Sequence, residues 1–209
     1  MNYFITGGTG FIGHNLIGEL LQKKKKANIY VLVRKGSKKK FESQKKAWGK
    51  DADRVIAVTG DLTRPMLGIP AKKRSMLEGE IDYVFHLAAV YDLLADAESQ
   101  TGANVGGTHN TVSFAEDIKA KRFHHMSSIA AAGMYPGIFR EDMFEEAHGL
   151  DNPYFRTKHD SEGIVRRECQ IPWRIYRPGI VVGHSETGVI DKIDGPYYFF
   201  KLIQKMRKM

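Results

Sequence analysis

Three glycines at intervals of three residues constrain this chain more than any other feature of its sequence. Gly7, Gly10 and Gly13 lie in "TGGTGFIG", between the strand-like run "NYFIT" and the helical pattern "FIGHNLIGELLQ". In such a unit the first glycine permits a tight turn, the second admits a pyrophosphate and the third lets helix and strand pack closely. The free N–H groups at the helix start, around Phe11 and Ile12, would face the anion. The pattern predicts a dinucleotide site, and the alternative is a purely structural turn.

Short apolar runs alternate with longer helical patterns along the rest of the chain. The strand-like runs are "NYFIT", "NIYVLVR", "RVIAVTG", "DYVFHLAA", "KRFHHMSS" and "PWRIYRP". Helices are expected over 97–118 and 152–169. This alternation predicts an α/β fold with a Rossmann-type doubly wound parallel sheet, covered on both faces. Residues 35–50 are expected to form a basic, loop-rich insertion, and 130–150 a long connection.

The second strand-like run ends in "VLVRKGS", where a site for NAD would place an acidic residue. Arg34 stands there instead. A carboxylate would repel a 2′-phosphate, whereas a guanidinium binds one through two hydrogen bonds. The sequence therefore predicts NADP (NADPH) as the cofactor. The alternative is that Arg34 is only a surface residue of a basic segment.

Composition excludes several classes of protein and site. The 209 residues carry a net charge of +8 and include one cysteine, so neither a disulfide framework nor a cysteine-rich metal site is expected. No signal peptide and no apolar run of membrane-spanning length is evident, which favours a cytoplasmic protein without a transmembrane segment.

The basic runs predict a solvated face or attraction for a polyanion. Aromatic residues do not alternate with the lysines, so nucleic acid is not an expected partner. His124 and His125, adjacent in a strand, would point to opposite faces, and no metal site is predicted.

A tyrosine and a lysine are placed together by the stretch "NPYFRTKHD". Asn152 is a good N-cap and Pro153 suits the first helical position, so Tyr154 and Lys158 lie one turn apart on one face. A nearby ammonium lowers the pKa of a phenol and makes it a better proton donor at neutral pH. Taken alone, however, this spacing also arises by chance on a helix surface.

The motifs together resemble the extended short-chain dehydrogenase/reductase family. The resemblance rests on the glycine turn, "GDLT", "HLAA", the strand-end serines of "SSIAAAG", the tyrosine–lysine pair and "YRPGIVVG", and it covers nearly the whole chain. Within that family, "HLAAVYDL", "HHMSSIAAAG" and "DKIDGPYYFFKLIQ" look most like the bacterial fatty acyl-CoA and thioester reductase branch.

The resemblance implies a role for several residues. Ser128 would be the catalytic hydroxyl, although Ser127 remains an alternative. Tyr154 would be the proton donor, and Lys158 would support it and bind the nicotinamide ribose. Asn104 would be structural. Further cofactor contacts are implied for Asp61 and Leu62 near the adenine, for Ala88 and Ala89 at the strand ends, and for Pro178, Gly179 and Ile180 beside the nicotinamide.

The resulting hypothesis is an NADPH-dependent reductase of a small-molecule substrate, an acyl thioester such as a fatty acyl-CoA. The alternatives are a dehydrogenase, reductase or epimerase acting on a ketone, a sterol-like alcohol or a sugar nucleotide, and a non-catalytic dinucleotide-binding module. Residues 1–185 would form the NADP-binding domain, and 186–209 the beginning of a substrate-binding lobe that is largely absent from this chain. There the apolar stripe of Tyr198, Leu202 and Met206 predicts either self-association into a homo-oligomer or pairing with another chain.

Overall fold

The protein is built on one sheet of six parallel strands. The computed structural model describes residues 1–89, 101–190 and 196–207. The strands run in the order β3-β2-β1-β4-β5-β6, and every pairing is parallel. This is the doubly wound order of a Rossmann fold, so the predicted fold class is confirmed. The strands are β1 (Tyr3–Thr6), β2 (Ile29–Val33), β3 (Val55–Thr59), β4 (Tyr83–His86), β5 (Arg122–Met126) and β6 (Trp173–Tyr176).

Six α-helices occur in the described residues. They are α1 (Phe11–Lys23), α2 (Lys38–Lys45), α3 (Ala71–Ser75), α4 (Gly107–Asp117), α5 (Pro153–Glu168) and α6 (Pro196–Met206). The helix expected over 97–118 corresponds to a π-helical turn, Thr101–Gly106, followed by α4, and residues 97–100 lie outside the described residues. The helix expected over 152–169 is α5, with the Asn152 side chain as its N-cap.

The basic segment expected to be loop-rich contains a helix. The prediction for 35–50 was wrong in this respect, because α2 and short 3-10 turns occupy it. Phe41 is buried on the sheet, and Trp48 packs edge-on against it with ring centroids 6.2 Å apart. Burying one such aromatic side chain stabilises a fold by about 1.5–3 kcal/mol, so Phe41 anchors this lysine-rich helix to the sheet.

Two hydrophobic cores cover the two faces of the sheet. Along β1 the side chains alternate between them: Phe4 packs with Val84, Phe114 and Phe123 on one face, and Ile5 belongs to the cluster on the other. This alternation follows from the two-residue period of a strand. The carboxyl ends of β1 and β4 adjoin, with Thr6 paired to His86, at the point where the strand order reverses. Ligands of open α/β sheets bind at such a point.

The chain divides into two compact units, Met1–Arg177 and Pro178–Met209. The boundary lies eight residues before the position expected from the sequence, and the assignment of 186–209 to a substrate-binding lobe stays a prediction. Within 1–89, 101–190 and 196–207, no helix combines the length and apolarity needed to cross a membrane.

Candidate active site at the carboxyl edge of the sheet

The glycine turn brings the backbone of β1 against the end of β4. Gly7 has φ +72°, and a Cβ built there would lie 2.6 Å from the nitrogen of Ala88. A Cβ on Gly13 would collide with the carbonyl oxygen of Gly7, so α1 packs directly on the turn. Gly10 is the N-cap of α1, provides no side-chain cap, and would bring a Cβ into contact only with the Gly7 oxygen. The first turn of α1, with Phe11 and Ile12, therefore offers free N–H groups and open space, which fits a pyrophosphate.

Arg34 follows β2 directly, in extended conformation and with an exposed side chain. The neighbouring β3 leads into Asp61, whose Oδ1 accepts hydrogen bonds from the backbone and the hydroxyl of Thr63 at 3.0 and 2.8 Å. These bonds, together with the charges of Arg34 and Arg64, hold the pKa of Asp61 below its ordinary value. Among the described residues Arg34 forms no salt bridge, so its guanidinium is available to an anionic ligand.

Leu62 lies between this turn and α4. Its side chain packs on Gly107, where an added Cβ would lie 3.4 Å from the Leu62 Cβ. Its carbonyl accepts a 2.7 Å hydrogen bond from Asn110 Nδ2. The turn after β3 is thus fixed to the helix on the opposite side of the switch point, which defines one wall of the candidate cofactor site.

A buried hydrogen-bond chain crosses the ends of β1 and β4. Thr108 Oγ1 donates to the Asn104 carbonyl at 2.6 Å, so it accepts from His86 Nε2 at 3.0 Å. The other imidazole nitrogen, Nδ1, then accepts from the hydroxyl of Thr6 at 2.8 Å, and Thr6 Oγ1 accepts from the Ala88 N–H at 3.3 Å. Burial, and secondarily the charge of Lys158, lowers the pKa of His86 to about 3, so the ring is neutral. The strand-like pattern of the sequence places His86 at the end of a strand, but it does not reveal the hydrogen bonds that the imidazole makes there.

Tyr154 and Lys158 lie on the inner face of α5. Asn152 Oδ1 accepts from the Tyr154 N–H at 2.9 Å, which starts the helix where the sequence predicts. The two residues are only 8 % and 6 % exposed, which does not favour a chance pairing on a helix surface. Lys158 Nζ donates to the Met126 carbonyl at 3.2 Å, and burial lowers its pKa to about 8.

Asn104 connects the hydrogen-bond chain to this helix. Its Nδ2 donates to Thr157 Oγ1 at 3.3 Å, and the Thr157 hydroxyl donates to the Tyr154 carbonyl at 3.2 Å. The glycine turn, the end of β4 and the first turn of α5 therefore form one connected polar layer.

The two serines after β5 have different environments. Ser127 is buried and donates to Glu162 Oε2 at 2.7 Å. Ser128 is half-buried, and its Oγ accepts from the Ala130 N–H at 3.1 Å as the cap of a short 3-10 turn. Only Ser128 thus keeps a hydroxyl proton that is not already engaged within the described residues.

An open cleft of about 680 Å³ lies at the start of α5. Asn152 and Phe155 line one side, Met134, Pro136 and His148 line another, and Tyr154 itself is not among the lining residues. The connection after β5 is shaped by a bridge between Gly133 and His148. The walls combine apolar and polar side chains, as ligand clefts commonly do.

The first unit brings most of the predicted site residues to one edge of the sheet. Gly7, Arg34, Asp61, Ala88, Ser128 and Lys158 all follow a strand end or lie on the helix beside one. Ala88 and Ala89 directly follow the end of β4. Pro178, Gly179 and Ile180 belong to the second unit, where Gly179 and Ile180 are exposed. Sequence reasoning missed the polar partners Thr6, Thr108, Glu162 and Arg177, because none has a local pattern that marks it.

The sequence profile of the family described as Male sterility protein matches residues 5–209. The linear gramicidin synthase of Brevibacillus parabrevis is 34% identical over 205 residues, which cover 91% of this chain and 4% of the matched synthase chain. The fatty acyl-CoA reductase wat of Drosophila melanogaster is 28% identical over 92% of this chain and 46% of its own length.

Among solved structures, the terminal R domain from the myxalamid PKS-NRPS biosynthetic pathway superposes with a TM-score of 0.85 at 30% identity. The match covers 98% of this chain and 55% of that one. The present chain therefore spans about half of that domain and less than half of the two curated relatives.

Proposed function

Because this chain belongs to the Male sterility protein family, within the extended short-chain dehydrogenases/reductases, we propose that it is the cofactor-binding and catalytic part of an NADPH-dependent reductase. The observation that carries the proposal is the burial of Tyr154 and Lys158 on one face of α5, beside the serines that end β5 and at the same sheet edge as the glycine turn. A buried phenol and ammonium at a ligand-binding edge support acid–base chemistry.

The residues that would hold the cofactor are those of the strand ends. The glycine turn and the start of α1 would bind the pyrophosphate, and Asp61 and Leu62 would contact the adenine. Ala88 and Ala89 would allow the dinucleotide to cross the end of β4, and Lys158 would bind the nicotinamide ribose. Pro178 and Ile180 would lie beside the nicotinamide. When bound, NADPH supplies a hydride.

The catalytic side chains would act on the substrate oxygen. Ser128 donates a hydrogen bond to the carbonyl oxygen as negative charge develops there, and Tyr154 transfers its proton to that oxygen. The Lys158 ammonium favours the resulting phenolate. With an acyl thioester, hydride and proton addition give a hemithioacetal, whose carbon–sulfur bond then breaks to release a thiol and an aldehyde.

An acyl thioester is the substrate class we favour. Support comes from the relative that is described as a fatty acyl-CoA reductase, because a fatty acyl-CoA is an acyl thioester. A spectrophotometric panel of acyl-CoA, ketone and nucleotide-sugar substrates with NADPH tests this class. Oxidation of NADPH by the ketone or the nucleotide-sugar alone would replace it with one of the alternative substrates, and no oxidation with any of them would favour a binding module.

The preference for NADPH rests on Arg34 and is tested by reversing its charge. A guanidinium–phosphate contact of about 1.5–3 kcal/mol corresponds to a preference of about 10- to 150-fold in Kd. We expect Arg34→Asp to abolish or invert that preference in fluorescence titrations. Lys26→Asp is the matched control, because it makes the same charge change on an exposed residue just before β2, at the opposite edge of the sheet. Equal affinities of the unmodified protein for NADPH and NADH would contradict the assignment.

A further inference from the structure

Glu162 on α5 is a fully buried carboxylate with four hydrogen bonds. Its Oε1 accepts from Arg166 Nε at 2.8 Å and from Arg177 Nη2 at 2.6 Å. Its Oε2 accepts from Arg177 Nε at 3.0 Å and from the hydroxyl of Ser127 at 2.7 Å. Burial alone would raise the pKa of Glu162, but the hydrogen bonds from Arg177, Ser127 and Arg166 outweigh it, and the pKa lies below its ordinary value. The carboxylate is therefore ionised and shared by three chain segments.

Arg177 extends this cluster to the connection that lines the cleft. Besides Glu162 it donates to the carbonyls of Met143, at 2.7 Å, and Arg140, at 3.2 Å. The guanidinium also lies 5.0 Å from the ring centroid of Phe139. These contacts fix residues 139–143, in the middle of the connection whose two ends, at Met134 and His148, form a wall of the cleft.

Ser127 extends the cluster to the strand end. Since its hydroxyl is held by Glu162, the chain direction at the end of β5 is fixed one residue before Ser128. The Ser127 N–H also donates to the Tyr176 carbonyl of β6 at 2.8 Å. The neighbouring serine is thereby directed away from the buried carboxylate and into the 3-10 turn, with its proton available to a ligand.

We propose that Glu162 is a positioning residue that holds both Ser128 and the wall of the cleft in place relative to Tyr154. The carboxylate acts through Ser127 on one side and through Arg177 on the other, and it does not touch the substrate. The kinetic part of this inference rests on the proposed reductase function, whereas its structural part does not.

Hydrogen exchange tests the structural part without requiring turnover. In Glu162→Gln the side-chain amide presents hydrogens to the guanidinium groups of Arg166 and Arg177. The links of this side chain to Ser127 and to Arg177 should therefore both loosen. We expect exchange at the backbone amides of 127–133 and 139–147 to accelerate by about tenfold or more, the effect of losing about 1.4 kcal/mol of local stability. Amides of β1 and α1 should be unchanged, and so should the Kd for NADPH.

Two milder variants separate the two sides of the cluster and serve if Glu162→Gln does not fold. Ser127→Ala should accelerate exchange only in 127–133 and lower kcat for acyl-CoA reduction about tenfold with little change in KM. Arg177→Lys should accelerate exchange only in 139–147 and raise KM by a similar factor, since it loosens the cleft.

Arg74→Met is the matched control. Arg74 also joins a carboxylate, Asp117 at 2.7 Å, to a backbone carbonyl, that of Ile69 at 2.8 Å, but elsewhere in the fold. It should lower Tm and leave kcat and KM unchanged. Unchanged exchange in both segments of Glu162→Gln, or milder variants that behave like Arg74→Met, would overturn the inference. Absence of thioester reduction by the unmodified protein would refute the proposed function, and the exchange results would still decide the role of Glu162.

Discussion

Replacing Gly7 and Gly79 with alanine, one at a time, separates the energetic cost of backbone strain from the cost of a steric clash between neighbouring backbones. Gly7 and Gly79 have nearly the same φ, +72° and +74°. A Cβ at Gly79 would meet nothing within 4 Å, whereas one at Gly7 would lie 2.6–2.8 Å from three backbone atoms of Leu87 and Ala88. Gly79 precedes β4 at the opposite edge of the sheet and is therefore a control for conformation alone.

The two substitutions should differ in free energy of unfolding and in cofactor binding. Placing alanine in the left-handed region costs about 1–2 kcal/mol, which is the expected loss for Gly79→Ala. Gly7→Ala adds an overpacking cost of about 1–3 kcal/mol, because the backbone atoms of Leu87 and Ala88, just after β4, cannot rotate away from the new methyl group. The total of about 2–5 kcal/mol is a large part of the stability of a domain.

Urea unfolding, followed by circular dichroism and extrapolated linearly to water, measures the two losses. NADPH fluorescence titrations on the same samples should show binding weakened at least about tenfold in Gly7→Ala and unchanged in Gly79→Ala. Equal losses of stability in the two variants, or unaltered NADPH affinity in Gly7→Ala, would refute the idea that the turn must touch the end of β4 to form the site.

Three further predictions concern the chemistry, the pH dependence and the association state. Tyr154→Phe should lower kcat by at least about 100-fold with little change in NADPH affinity, since general acid catalysis contributes about 10²–10⁴-fold to the rate. Near-normal turnover would show that the spacing of Tyr154 and Lys158 arises by chance. Because the pKa of His86 is about 3 when folded and about 6.5 when unfolded, its contribution to stability is present above pH 6.5 and is lost as pH falls toward 3. Urea unfolding at pH 6.5 and 5 should show a smaller decline in His86→Gln than in the unmodified protein, by about 1.6 kcal/mol. Equal declines would show that the ring is not held neutral. Helix α6 exposes Phe199, Leu202 and Ile203, so light scattering should detect self-association that Ile203→Lys reduces. An unmodified protein that is a monodisperse monomer would contradict this.

Local spacing in the sequence was sufficient to predict the six strands and most of the longer helices. The strand periods, the glycine turn and the helix that begins at Asn152 each depend on residues a few positions apart, so composition and spacing reveal them. The pairing of Tyr154 with Lys158 follows from the same helical geometry. The helix around Phe41 was not predicted, because one aromatic residue among lysines gives no periodic signal and only the sheet beneath it supplies a place to bury the ring.

Contacts between distant residues were decided by the tertiary structure alone. The sequence could not separate Ser127 from Ser128, and the distinction came from Glu162, 35 residues away, which engages the first hydroxyl. His86 lacked a partner in the sequence pattern, yet it bonds Thr6 across 80 residues and Thr108 across 22. Most buried polar groups find a partner wherever the packed strands and helices place one. That placement is a property of how the elements meet, and no local stretch of sequence contains it.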